Sequence, residues 1–217
     1  MVASHRKPTL SEKAYDQIKN AICEGTITAG DLLSENSLAQ QLGMSRTPVR
    51  EAIRSLESEG WLDVHGGIGA YVKALSSKDI EDLYEVRCIL EVQAAKTSVF
   101  SISEQEISLF QDRFQSLYNL SQNGQSLDMA AYSALDWEFH ELIIERCDNS
   151  YIKNIMHSNV ANMKRYLSLS AEAFNNIHES TQQHLHLLTL IRKRDADAFC
   201  AALDHHLKWA SSFLTIK

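Results

Sequence analysis

The chain has 217 residues, a formal net charge of -7 at pH 7 and four cysteines. That length leaves room for two domains with separate cores, and the acidic balance excludes a protein coated in basic surface. No apolar run approaches the length of a bilayer span, and the first residues are polar and basic rather than a signal-peptide core, so a soluble, cytoplasmic chain is expected, with no membrane partner. Cys23, Cys88, Cys147 and Cys200 stand singly among apolar neighbours, which points to buried reduced thiols rather than a disulfide or zinc-thiolate role.

From the amino terminus to about Ile27 the pattern is helical, with Ala14, Ile18, Ala21 and Ile22 on one face, and Gly30 breaks it. Glu35 to Leu42 reads as a short helix carrying Leu38, Ala39 and Leu42, and Gly43 makes the turn that follows. The next helix begins at Ser45 as a cap, admits Pro48 in its first turn and stops at Gly60. Val49, Ala52, Ile53 and Leu56 recur three and four residues apart, so one face packs inward while Arg46, Thr47, Arg50 and Arg54 point elsewhere. Taken alone, such a helix is equally consistent with arginines that are merely solvated. Its neighbours decide the matter, because helix, glycine turn and basic helix is the helix-turn-helix order, in which the second helix enters the major groove.

After Gly60 the pattern becomes extended. Trp61 to Val64 and Ala70 to Val72 are short β-prone runs, and the glycine-rich stretch His65 to Gly69 between them makes a turn. The expected unit is a winged helix of three helices and a β-hairpin wing. Residues 1–75 hold eight lysines and arginines against nine acidic residues, so affinity for a polyanion must come from local placement, with Arg6, Lys7, Arg46 and Arg50 able to form one basic edge. One copy so weakly charged should bind DNA poorly, and a homodimer on a palindromic operator remedies that because half-site contacts add.

A polar joint, Ala74 to Ser77, sets a domain boundary near Leu75, giving domains 1–75 and 76–217. Beyond it there is no proline and only Gly124, and six helices are expected at about 77–100, 103–122, 126–147, 150–173, 177–193 and 195–215. Ser103 to Glu106 forms a capping-box sequence, and Asn123-Gly124 and Arg194-Asp195 mark breaks. The fold class is mainly α: a winged helix followed by an antiparallel helical bundle.

Leu33-Ser34-Glu35, Leu38-Ala39, Leu42-Gly43, Ser45 to Ala52 and Glu59-Gly60 stand in the order and spacing of the DNA-binding domain of the GntR family, which the chain closely resembles. In the FadR branch of that family, the resemblance implies operator contacts by Ser45, Arg46, Thr47 and Arg50, and a minor-groove contact by the wing tip at His65-Gly66. Asn36 departs from the pattern, standing where that branch carries a DNA-contacting arginine. Whether Arg46 and Arg50 take guanine edges or phosphates is open, and Arg54, a turn further on, fits a solvated role equally well.

The second half resembles the FCD effector domain, and its six helices resemble the VanR-like members. Leu83 to Arg87 with Leu90-Glu91, Asp136 with Phe139-His140, Glu179-Ser180 with Gln183-His184, and His206-Leu207 carry that likeness. Seven of the nine histidines fall after residue 130, and Asp136 and His140, four apart on a helix, lie about 5 to 6 Å apart on one face. The resemblance adds His184 and His206 from two other helices as ligands of a divalent metal, most simply zinc, with nickel or a neighbouring ion as alternatives. His157, His178, His186 and His205 match no ligand position.

The resemblance further implies a small organic acid as effector, with Arg87 as a second carboxylate clamp; Arg87 as a structural partner of Glu91 or Asp82 is the alternative. Asn162 and Arg165 are weaker candidates. The same four ligands would serve a purely structural metal, or a metal hydrolase, but Glu138 and Glu141 fall on other helix faces, so no general base is evident. The expectation is a DNA-binding regulator, most simply a repressor, and not an enzyme.

Overall fold

The structure, a computed structural model, describes residues 7–23, 25–66, 69–74, 76–123, 128–159 and 176–213. It divides into two compact units, Met1–Leu75 and Ser76–Lys217.

The first unit runs α1 (Leu10–Cys23), β1 (Leu32–Leu33), α2 (Glu35–Gln41), α3 (Arg46–Ser58), β2 (Leu62–His65) and β3 (Gly69–Val72). Periodicity alone carried α1 to about Ile27, but it stops at Cys23, and the Ile27 N–H bonds back to the Ala21 carbonyl at 3.0 Å. The packing of α3 on α1 buries Val49, Ala52, Ile53 and Leu56 on one side and Ala14, Ile18 and Ile22 on the other. Each of the valine, leucine and isoleucine side chains among these contributes roughly 1.5–3 kcal/mol by leaving water. The exposed arginines are thereby fixed on the opposite face.

Gly60 ends α3 in the left-handed region at φ +76, where only glycine sits without strain. Its N–H bonds to Glu57 O at 2.9 Å and the Trp61 N–H to Leu56 O at 2.8 Å, while buried Trp61 and Leu56 complete a Schellman closure. Ser45 occupies the cap position of α3, but its side chain makes no capping hydrogen bond, contrary to the sequence expectation.

The wing forms as expected, with β2 and β3 antiparallel and His65 opposite Gly69. A third strand was not foreseen: β1 pairs with β3, giving the order β1-β3-β2. Two residues are too few to show a period. A Cβ at Gly69, which has φ +143, would lie 2.8 Å from Leu32 Cδ1 and 3.1 Å from Leu33 O, so close approach of β1 requires glycine there.

The second unit is helical: α4 (Ser77–Ser101), α5 (Glu104–Gln122), α6 (Met129–Arg146), α7 (residues 150–159), α8 (Ile177–Lys193) and α9 (Ala196–Ser211). The expected span 150–173 extends past residue 159 outside the described residues, as do Asn162 and Arg165. Ser76 with Asp79 and Ser103 with Glu106 form reciprocal capping boxes, and Asp128 caps α6, which therefore starts at Met129 rather than 126. Between α8 and α9, Arg194 adopts φ +58 and its guanidinium donates to the Val99 and Ile102 carbonyls that end α4. A cation at a helix carboxyl end offsets the orphan carbonyls there.

α4 packs on α6 and α9, α5 on α8, and α8 on α9. Phe110, Phe114 and Phe139 form an aromatic cluster in the core, with ring centroids 5.7 to 6.4 Å apart. Cys147 is buried and the other three cysteines are half-buried, all four as free thiols. Among the described residues no helix is long and apolar enough to cross a membrane.

Candidate functional site

Asp136 and His140 project one turn apart from α6, His184 from α8 and His206 from α9, and one ligand atom from each lies within 4.8 Å of the others. The three imidazoles are at most 2% exposed. Phe114 stacks on His184 with centroids 4.5 Å apart, and His140 stacks on His206 at 5.3 Å, so the aromatic core fixes the ring planes.

Each ring has its Nδ1 engaged on the far side. His140 Nδ1 donates to Glu91 Oε2 at 2.6 Å, His184 Nδ1 to the Ser180 carbonyl at 2.8 Å, and His206 Nδ1 to Gln183 Oε1 at 2.8 Å. A carboxylate or carbonyl oxygen can only accept, so a proton sits on Nδ1 of each ring, and it is Nε2, which bears a lone pair when the ring is neutral, that faces inward. Burial pushes the imidazoles of His184 and His206 below their ordinary range, which keeps both neutral. Burial also pushes the Asp136 carboxyl upward, but positive charge in the same region, that of the buried Arg87 guanidinium included, more than offsets it and holds the carboxyl below its usual range.

Asp136 Oδ1 lies 3.2 Å from His184 Nε2, and that buried nitrogen has no hydrogen-bond partner. Two lone-pair-bearing atoms facing each other in a dry core repel unless a cation lies between them. Ligand atoms about 2.0–2.1 Å from a tetrahedral zinc stand roughly 3.3 Å apart, close to this spacing. The donor set therefore fits a divalent transition metal.

Beside the cluster, Glu91 takes Arg87 Nε on Oε1 at 2.5 Å and the His140 proton on Oε2, with Arg87 and Glu91 both essentially excluded from solvent. Arg87 Nη1 donates to Tyr84 Oη at 3.0 Å, and burial pushes the Tyr84 phenol up to about 12. Arg87 Nη2 is buried with no hydrogen-bond partner. Of the two alternatives for Arg87, pairing with Glu91 is present; Asp82 pairs with Lys78 instead. Of the three guanidinium nitrogens, Nε and Nη1 are thus engaged and Nη2 is not.

In the first unit, Arg46, Arg50, His65 and Gly66 line one open cleft between α3 and the wing, with Asn36, Arg54 and Glu35 beside them. Ser45 and Thr47 are exposed at the start of α3. Arg50 donates to Glu35 through Nε and Nη2 at 2.9 Å, and Arg46 Nη2 reaches the same carboxylate at 3.3 Å.

Residues 82–208 match the FCD domain, and residues 10–72 match the bacterial regulatory proteins of the gntR family. The chain belongs to the GntR family. The HTH-type transcriptional regulator YdhC of Bacillus subtilis is 26% identical over 85% of this chain and 81% of that protein. The gluconate operon transcriptional repressor of the same organism is 34% identical over 72% of this chain and 63% of its own length. The solved structure of McbR/YncC from E. coli shares the fold with a TM-score of 0.75 at 22% identity, over 95% of this chain and 97% of that one. Membership of the GntR family makes this a DNA-binding transcriptional regulator with an FCD domain.

Within this GntR-family chain, the four residues expected as metal ligands, two of them from the FCD resemblance, meet in space, as do Arg46, Arg50, His65 and Gly66. The other described histidines of the second unit lie outside the cluster: His157 pairs with Glu145, His178 stacks on Tyr118 beside Ser121, and His186 and His205 are exposed. Glu138 binds Arg113 at the surface, but Glu141, expected on another face, lines a small cavity with His140, Trp137 and Met156. Sequence reasoning missed Glu91, Ser180 and Gln183 as holders of the three Nδ1 protons. All three stood among the residues that carry the FCD likeness, but only Glu91 also carried a local signal, an acid four residues after Arg87 on the same helix.

Proposed function

We propose that this GntR-family regulator is a cytoplasmic homodimer that represses by reading a palindromic operator, and that a small organic acid bound beside a metal in its FCD domain controls that grip. Ser45, Arg46, Thr47 and Arg50 on α3 and His65 and Gly66 at the wing are the DNA-contacting residues. Asp136, His140, His184 and His206 hold the metal, with zinc the simplest choice and nickel the alternative.

The observation that carries the sensor reading is the pairing of three inward Nε2 lone pairs and one carboxylate with the unpartnered Arg87 Nη2 in the same buried region. A bound divalent cation supplies positive charge to which an acid's carboxylate is drawn. Arg87 then holds that carboxylate, Glu91 keeps both Arg87 and His140 in place, and the surrounding phenyl rings exclude water. A relative named as the gluconate operon repressor supports both the repressor and the acid reading, gluconate being a hydroxy acid.

A ligand shifts an equilibrium only by its differential affinity, so control requires two dimer arrangements that bind the acid unequally. The test is metal analysis of the purified protein, followed by thermal unfolding against a panel of organic acids with and without chelator. Stabilisation by an acid that disappears on chelation is the expected result. Stabilisation that survives chelation would sink the metal-dependent sensor, and a metal that stabilises with no acid effect would leave it a staple between helices.

A further inference from the structure

The cleft between α3 and the wing contains an acid where a DNA-binding surface would be expected to be purely basic. Glu35, the first residue of α2, accepts from Arg50 Nε at 2.9 Å on Oε1 and from Arg50 Nη2 at 2.9 Å on Oε2, and from Arg46 Nη2 at 3.3 Å. Glu35 is 30% exposed, Arg46 58% and Arg50 47%, so the group faces the space a ligand would fill. Ion pairing with Arg50 holds the Glu35 carboxyl below its ordinary range, so it stays charged at neutral pH.

Guanidinium geometry gives this contact a direction. Arg50 has five N–H donors in a planar fork, and Glu35 occupies the edge formed by Nε and one hydrogen of Nη2. The terminal edge, Nη1 with the other Nη2 hydrogen, is left as a parallel pair of the spacing that suits guanine O6 and N7. The side chain is thus already ordered before DNA arrives, while the acid offsets part of the attraction that Arg46 and Arg50 have for any phosphate.

We infer that Glu35 is a positioning residue that sets sequence specificity: it aims the terminal edge of Arg50 at a base and weakens binding to DNA of arbitrary sequence. The inference rests on α3 as the DNA reader and adds a residue that touches no base itself. It also explains why an acid is placed beside two arginines on a unit with no surplus of positive charge.

The probe is a pool of duplexes with a randomised centre, selected on the intact wild-type protein. The enriched duplex is then compared with a shuffled duplex of the same length and composition. Glu35→Gln should bind the shuffled duplex several-fold more tightly, steepen its log-log salt dependence by up to about one unit, and reduce the ratio of enriched to shuffled binding about tenfold or more. In an Arg50→Lys background, which lacks the fork, Glu35→Gln should leave that ratio unchanged within about twofold, since the coupling has been removed.

Equal loss on both duplexes would show a fold defect and overturn the inference, as would an unchanged ratio. A changed preference at one base pair that persists in the Arg50→Lys background would make Glu35 a direct base reader, which also overturns it. Failure of the wild-type protein to enrich any sequence would instead remove α3 as a DNA reader, a result distinguishable because it precedes any substitution.

Discussion

In the α3 cleft the arginines are exposed, permanently charged and held by a counter-ion; in the α6, α8 and α9 cluster the imidazoles are buried and held by hydrogen bonds on their far sides. Arg46 is 58% exposed, whereas His184 is fully buried. Each arrangement suits a different selectivity problem. An exposed cation attracts every polyanion, so its grip must be moderated and aimed, and salt governs it. A buried lone pair attracts little until a cation enters, so its grip depends on dry walls and fixed tautomers. The two units should therefore respond to different perturbations.

The sharpest separation comes from a crossed pair of substitutions. Arg50→Ala should weaken binding of the selected duplex by about 100-fold or more, combining a lost bidentate contact with an uncompensated Glu35, while metal per chain is unchanged. His184→Ala should deplete metal and abolish the stabilisation by acids while DNA binding at low temperature persists. Gel shift and metal analysis on the same samples check both, and metal loss in Arg50→Ala would contradict the division of labour.

A smaller effect tests what keeps the buried site ordered. Glu91→Ala strands the Arg87 charge in the core and removes the acceptor of the His140 proton. Removing one partner of a buried ion pair costs roughly 3–5 kcal/mol, and loss of such an outer partner lowers metal affinity about 10–100-fold. Denaturant unfolding and metal titration should show both losses, with Glu91→Gln retaining part of each. An Ala variant of unaltered stability would mean that Arg87 has another counter-ion.

The same contrast governs what the sequence reveals. The grouping of residues in the α3 cleft was legible because they lie close together on one helix and its hairpin tip, where capping, periodicity and glycine stops act locally. The winged helix, the bundle and most helix ends follow from such local rules. Strand β1 was not legible, being two residues held only by their pairing with β3. In the buried cluster, Asp136 and His140 were visible as neighbours one turn apart, but His184 and His206 could be joined to them only by resemblance. Gln183 and Ser180 were visible only as part of the FCD likeness and their roles were not, because a hydrogen bond from a histidine on another helix, or to a backbone oxygen, leaves no mark in residue spacing.

Arg194 gives a more modest test, confined to the second unit. Its αL backbone costs about 1–2 kcal/mol relative to glycine, and its guanidinium offsets that by binding the α4 carboxyl end. Arg194→Ala keeps the strain and loses the hydrogen bonds, so unfolding free energy should fall by about 1–2 kcal/mol. Arg194→Gly should lose about 1 kcal/mol less, which equilibrium urea unfolding can resolve. If the two variants were equal, backbone strain would be absent from the balance.

The smallest effect is electrostatic and lies at the surface of the bundle. Arg146 and the capping contacts of Ser103 hold the Glu106 carboxyl at about 2. A folded-state value depressed below the unfolded one means that the ionised form favours the native state. That contribution is complete above the unfolded carboxylate value of about 4.3 and is lost as pH falls through about 2. The pair is largely solvated, so the contribution is at most about 1 kcal/mol. Glu106→Gln should lower the unfolding midpoint slightly at pH 7, and its curve should converge with the wild-type curve as pH approaches 2. Curves that remain parallel across that window would assign the loss to the capping hydrogen bonds rather than to charge.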